Sequence, residues 1–148
     1  GAIAVASIGA DFVRAYYSNY GDWCDISAPG GDAMKGPQIY STIPGNKYGY
    51  MQGTSMACPH VSGVAALTVA NKGGAGFTAE KLRNILETTV KDITKQNPNF
   101  LIGNGLVDAY MAVTSGTGTP PENIEDFKVA EASVTINVSG VDNGFFSD

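Results

Sequence analysis

Apolar and polar positions change their period several times along this 148-residue chain. Residues 2–7 form a short apolar run with no polar alternation, the pattern of a parallel strand covered on both faces. Residues 24–28 repeat that pattern and end at Pro29-Gly30. Ile39–Ile43 and residues 48–52 flank Pro44-Gly45-Asn46-Lys47, which predicts a hairpin. From Val61 to Ala70 small and apolar residues follow almost unbroken, predicting a buried helix that runs to about Asn71. Pro59 lies near enough to the start of that helix to cause only a local distortion. Gly73-Gly74-Ala75-Gly76 ends it. The next helix opens at Thr78, a good N-cap, with Phe77 placed to pack on Leu82 and Glu80 at the positive end of the dipole. Leu82, Ile85, Leu86 and Val90 make its apolar stripe. Asn97-Pro98-Asn99 marks a loop, and residues 106–113 predict a last helix introduced by Gly103-Asn104-Gly105. Short apolar strands mixed with helices predict an α/β fold, a parallel sheet with helices packed on it.

The character changes after Ser115. Gly116-Thr117-Gly118-Thr119-Pro120-Pro121 reads as a linker over 116–122, which closes a first domain of 1–115. Over 123–148, Ile124, Phe127, Val129, Val134, Ile136 and Val138 alternate with polar residues, the period of a half-buried strand. Pro121-Glu122-Asn123-Ile124 with Asp126-Phe127-Lys128-Val129 resembles the opening of a fibronectin-type or similar β-sandwich. Two strands do not make a sandwich, so this β-rich tail reads as the start of an accessory domain or as an arm packed elsewhere. Asn137-Val138-Ser139 matches a glycosylation triplet, a pattern frequent enough by chance to carry no weight.

Composition narrows the function classes. Hydrophobic residues make up 43% and charged residues 16%, enough apolar material for an ordered core. A net charge of −5 without a basic cluster argues against a nucleic-acid surface. The longest apolar stretch, 61–70, is interrupted by Ser62, Gly63 and Thr68 and is too short to span a bilayer. No charged segment followed by an apolar run and a cleavage site opens the chain, so no signal peptide is visible.

The candidate chemistry lies in Gly53-Thr54-Ser55-Met56-Ala57-Cys58-Pro59-His60-Val61. A serine in the first turn of a helix sits beside free backbone N–H groups and the positive end of the dipole, where an oxyanion would be stabilised. The same position also suits a serine N-cap on a core helix. On position alone Ser55 is open to both readings, nucleophile or cap.

Gly53-Thr54-Ser55-Met56-Ala57 followed by Pro59-His60-Val61 resembles the nucleophile motif of subtilisin-like serine proteases. Ala2-Ile3-Ala4-Val5-Ala6-Ser7 resembles the family's strand upstream of the serine. Tyr17-Ser18-Asn19-Tyr20-Gly21 and Asp25-Ile26-Ser27-Ala28-Pro29-Gly30 resemble the following loop and strand. Ser41-Thr42-Ile43-Pro44-Gly45 resembles the segment leading into the hairpin. Gly103-Asn104-Gly105-Leu106-Val107-Asp108-Ala109 resembles the closing helix. The resemblance covers roughly residues 1–115 and implies the C-terminal part of a three-layer catalytic domain. In this family the serine comes last, after an aspartate, a histidine and an oxyanion asparagine. Only 54 residues precede Ser55, none of them histidine, so the resemblance implies that these partners lie outside this chain.

The remaining candidates do not replace them. A helix turns about 100° per residue, so His60 lies roughly 140° around from Ser55 and cannot approach within the ~3 Å a base needs. His60 reads as structural, bonded to nearby backbone. Lys35 and Lys47 sit in turn-like sequence and read as solvated charge, although lysine can activate serine elsewhere. Turn chemistry and strand ends account for most of Asp11, Asp22, Asp25 and Asp32. Asp25 matches a family position near a cation site, but calcium wants six or more oxygens. Cys24 and Cys58 read as buried free thiols, with no metal spacing. The resemblance also puts Met56 beside the nucleophile, where oxidation to a sulfoxide would perturb the site.

The resemblance implies a serine endopeptidase acting on proteins or peptides, with Ser55 as nucleophile and the Ser55 amide and Thr54 hydroxyl contributing to the oxyanion hole, secreted or exposed at the cell envelope, and represented by a segment inactive alone. No cofactor is visible, and calcium belongs, if anywhere, to the wider protein. A bare strand edge and uncovered helix faces would make the isolated chain a homo-oligomer. The alternative is a non-catalytic binding or adhesion module derived from the same family. The intact Gly53–Ala57 string counts against it, because a scaffold does not require that serine.

Overall fold

The computed structural model describes residues 1–114. The linker and β-rich tail expected over 116–148 lie outside the described residues. Four strands and three α-helices follow in the order β1 (Val5–Ile8), β2 (Ile26–Pro29), β3 (Ile39–Ile43), β4 (Lys47–Met51), α1 (Thr54–Lys72), α2 (Ala79–Thr88) and α3 (Ala109–Thr114). A single 3₁₀ turn, Thr94–Gln96, lies between α2 and α3.

β1 and β2 pair in parallel, Val5 opposite Ile26 through Ile8 opposite Pro29. The Ser27 amide donates to the Gly105 carbonyl and the Val107 amide to the Ser27 carbonyl, which adds a third, parallel rung at Leu106. Lys91 then pairs antiparallel with Leu106. β2 is therefore central, and Ile26, Ser27 and Ala28 are fully buried, as expected of an apolar strand covered on both faces. The first core joins Ile26 and Ala28 to Ala57, Val61 and Val64 of α1, Leu86 of α2 and Ala112 of α3. A second joins Ala6 and Ile8 to Cys24, Ile93, Ile102 and Leu106.

The last helix starts later than the sequence suggests. Leu106 is extended because both its backbone groups are engaged by Lys91, at 2.8 and 2.9 Å. The Asp108 carboxylate accepts the Met111 amide at 2.8 Å and so opens α3 as a side-chain cap. α2 begins as expected: the Thr78 hydroxyl accepts the Lys81 amide at 3.2 Å.

The hairpin falls on the expected segments. Pro44, Gly45 and Asn46 make a three-residue connection between β3 and β4, in which Gly45 and Asn46 take φ values of +82° and +57°. On α1, Ala57, Val61, Val64 and Thr68 make the buried stripe. Leu67 and Val69 lie on other sides of the same helix and are 54% and 43% exposed. A helix apolar all round is normally enclosed all round, so these sides lack their covering layer among the described residues.

Candidate active site

Ser55 is the second residue of α1, and the cap before it is Gly53, which makes no side-chain cap bond. Serine N-capping therefore does not explain the residue. The Ser55 side chain is exposed and its hydroxyl has no hydrogen-bond partner among the described residues. The Gly53 carbonyl takes the Met56 and Ala57 amides at 3.0 and 3.2 Å. The Thr54 and Ser55 amides are left without an acceptor among the described residues, as the first turn of a helix requires. They are donors at the positive end of a 19-residue helix, beside the free hydroxyl.

Two glycines fix that mouth. Gly53 has a φ of +150°, which L side chains rarely adopt, and this turn sends the chain from β4 into α1. Its amide donates to the Gly30 carbonyl at 3.0 Å. Gly30 follows β2, and a Cβ there would fall 1.9 Å from Ser7 Oγ and 2.5 Å from the Gly53 carbonyl oxygen. The end of the sheet thus touches the start of the helix with no space for a side chain. Sequence reasoning missed Gly30, and the Gly30-Gly31 pair directly after a strand was its only visible signal.

A cavity of about 350 Å³ opens between the hairpin and the start of α1. Ser55, Met56 and His60 line one side, and Ile39, Ile43 and Met51 the other. It is a largely apolar recess with a free hydroxyl at its edge. Met56 stands in its wall, as the sequence placed it.

His60 is bonded through Nδ1 to the Met56 carbonyl at 2.8 Å, the backbone partner expected of a structural histidine. Lys35 is paired at 3.7 Å with Asp11 on the surface, and Lys47 is exposed at the hairpin turn. Asp32, buried, accepts the Tyr16 and Met34 amides. Asp25 accepts the Ala4 amide at 2.7 Å and pairs with Arg83 at 2.5 Å. A guanidinium thus holds the carboxylate that the family resemblance put near a cation. Among the described residues no three His, Cys, Asp or Glu side chains converge on one point.

Cys58 corrects the sequence reading. Cys24 is buried, but Cys58 is exposed and lines a shallow surface with Ile3, Val5, Thr54 and Ser55. It sits one position past Ala57 of the buried stripe, hence about 100° around the helix and out of the core.

The chain is an α/β protein with an exposed serine at a helix mouth, beside unclaimed amides and at the carboxyl end of a parallel sheet. Residues 1–105 match the Subtilase family, Peptidase_S8. The chain belongs to this family. It is 42% identical over 112 residues to the thermophilic serine proteinase of Bacillus sp. (strain AK1), covering 76% of this chain and 25% of that protein. It is 38% identical over 112 residues to thermitase of Thermoactinomyces vulgaris, covering 76% of this chain and 36% of that protein. Among solved structures, a protease of Pseudoalteromonas arctica PAMC 21717 superposes with a TM-score of 0.66 at 38% identity, over 78% of this chain and 36% of that one. A cold-adapted subtilisin-like serine proteinase superposes at 0.62 and 30% identity, over 72% of this chain and 36% of that one. The chain thus spans between a quarter and about a third of the length of these curated relatives. The described fold is the α/β arrangement of that family, a parallel sheet with helices. No helix among the described residues is long and apolar enough to cross a membrane.

Proposed function

We propose that this chain carries the nucleophile portion of a subtilisin-like serine endopeptidase. Ser55 attacks the scissile carbonyl of a protein or peptide and forms an acyl-enzyme, releasing the amine half of the substrate. The Ser55 amide, with help from the Thr54 hydroxyl, donates to the oxyanion. The base, its aspartate and the asparagine donor come from residues outside those described. The single observation that carries this reading is the unengaged hydroxyl beside the unclaimed Thr54 and Ser55 amides.

His60 does not serve as the base, because its Nδ1 is committed to the Met56 carbonyl and its position on α1 turns it from Ser55. A triad works as a unit, so the hydroxyl without its base has no useful turnover. Secretion as the site of action is inferred from membership of the family alone. The exposed Leu67 and Val69 support self-association of the isolated chain.

Hydrolysis of a denatured protein substrate by the full-length gene product tests the assignment. Ser55→Ala is expected to lower kcat by about 10⁶-fold, the scale measured for the triad serine of subtilisin itself. Activity that survives Ser55→Ala would leave the chain as a binding module attached to some other catalyst.

A further inference from the structure

We propose that the Tyr17 hydroxyl is a positioning group for the nucleophile, acting through Gly30 and Gly53 and resting on Ser55 as that nucleophile. Tyr17 lies in the loop between β1 and β2 and is half-buried. Its hydroxyl is 2.8 Å from Ser7 Oγ, 3.0 Å from the Gly30 carbonyl and 2.5 Å from the Gly31 carbonyl. A phenol has one hydrogen to give, and carbonyls only accept. Tyr17 therefore donates to the Gly30–Gly31 carbonyl pair, and the hydroxyl of Ser7 donates to Tyr17. Ser7 is fully buried, and among the described residues Tyr17 is the only partner of its hydroxyl.

The Gly30 carbonyl also accepts the Gly53 amide at 3.0 Å. Its two lone pairs are thus shared between Tyr17 and the residue that turns the chain into α1. The space that a Cβ on Gly30 would need is already taken by Ser7 Oγ and the Gly53 carbonyl oxygen. Gly53 is consequently held by a hydrogen bond on one side and by contact on the other. Both come from a peptide that Tyr17 pins. The Tyr17 ring is itself fixed edge-on against Tyr16, with centroids 5.2 Å apart at 81°. Two residues beyond Gly53 stands Ser55, whose direction follows the Gly53 dihedrals. Misplacing a reacting group by 1 Å costs on the order of 100-fold in rate, and loosening one tether of several moves it by less, so about tenfold is expected.

The test compares Tyr17→Phe, Ser7→Ala and the double variant in the full-length gene product, well below the melting temperature. The readouts are the rate of Ser55 acylation by a p-nitrophenyl ester, followed by the release of p-nitrophenolate, kcat and KM for a peptide substrate, and Tm. Tyr17→Phe is expected to lower acylation and kcat about tenfold with KM within about twofold, because a lost tether acts on the aim of the reacting hydroxyl and not on ground-state binding. Ser7→Ala leaves the Tyr17 hydroxyl free to donate to both carbonyls. It is expected to lower Tm while acylation stays within about twofold. The double variant, which removes the orphaned Ser7 hydroxyl, is expected to regain Tm and keep the slow acylation. Unchanged acylation in Tyr17→Phe or in the double variant overturns the proposal, as do rates that simply follow Tm across the set. An unsubstituted protein that does not acylate at Ser55 overturns the protease reading and this inference together. Normal acylation of the unsubstituted protein with no loss in Tyr17→Phe overturns this inference alone.

Discussion

His60 stands five positions after Ser55, with its Nδ1 2.8 Å from the Met56 carbonyl. The bond makes the ring part of the helix wall, so its loss acts on packing before chemistry. The two cysteines divide in the same way, by which side of an element they occupy. Cys58 is exposed and Cys24 buried. An aromatic disulfide reagent at neutral pH is expected to titrate one thiol rapidly and the second only on unfolding. Peptide mapping should place the fast thiol at Cys58. Burial pushes the Cys24 thiol up, the Gly21 backbone bond opposes this, and the nearby Asp25 charge adds to the rise. A raised acid pKa favours the folded state below the unfolded thiol value, about 8.5, and that advantage is lost as pH rises through the folded value. Thermal unfolding followed from pH 8 upward should therefore show a loss of stability that is smaller in Cys24→Ala.

At the scale of elements, the contact between the end of β2 and the mouth of α1 decides where Ser55 points. Gly30→Ala drives a methyl into Ser7 Oγ, which yields only by giving up its bond to Tyr17, and into the Gly53 carbonyl, which is backbone. A loss of about 1–3 kcal/mol is expected from such overpacking, measured by denaturant unfolding. Thr78→Ala at the start of α2 removes one exposed cap and should cost only about 1 kcal/mol. The hairpin, α1 and α2 were legible in the sequence because period, turn residues and caps are local signals. So was Ser55 at a helix mouth, because Gly53-Thr54-Ser55 is contiguous. Leu106–Asp108 was misread as helix because its extended form is imposed by Ser27 and Lys91, which are distant in sequence. Cys58 was misread because burial on an apolar helix depends on which sides its neighbours cover. The tether from Tyr17 to the Gly30 and Gly31 carbonyls left no local trace, since only the parallel pairing of β1 and β2 brings its parts together.

For the molecule as a whole, what is covered matters as much as what is present. α1 packs against β1, β2, α2 and α3, yet Leu67 and Val69 remain largely open to solvent. The outer edge of β1 is closed at Ser7, where the Ala15 amide and the Ser18 hydroxyl bond its backbone. No strand continues that edge at Val5 among the described residues. Apolar surface and a partly open edge favour association, so light scattering on the isolated chain should show a dimer or larger species at micromolar concentration. The central claim is that α1 presents a nucleophile that lacks only its partners. Fluorophosphonate labelling, with the adduct located by mass spectrometry, compares the isolated chain with the full-length gene product most directly. The account predicts an adduct at Ser55 in the full-length protein and negligible labelling of the isolated chain. Rapid labelling of the isolated chain, or an adduct anywhere but Ser55 in the full-length protein, would contradict it.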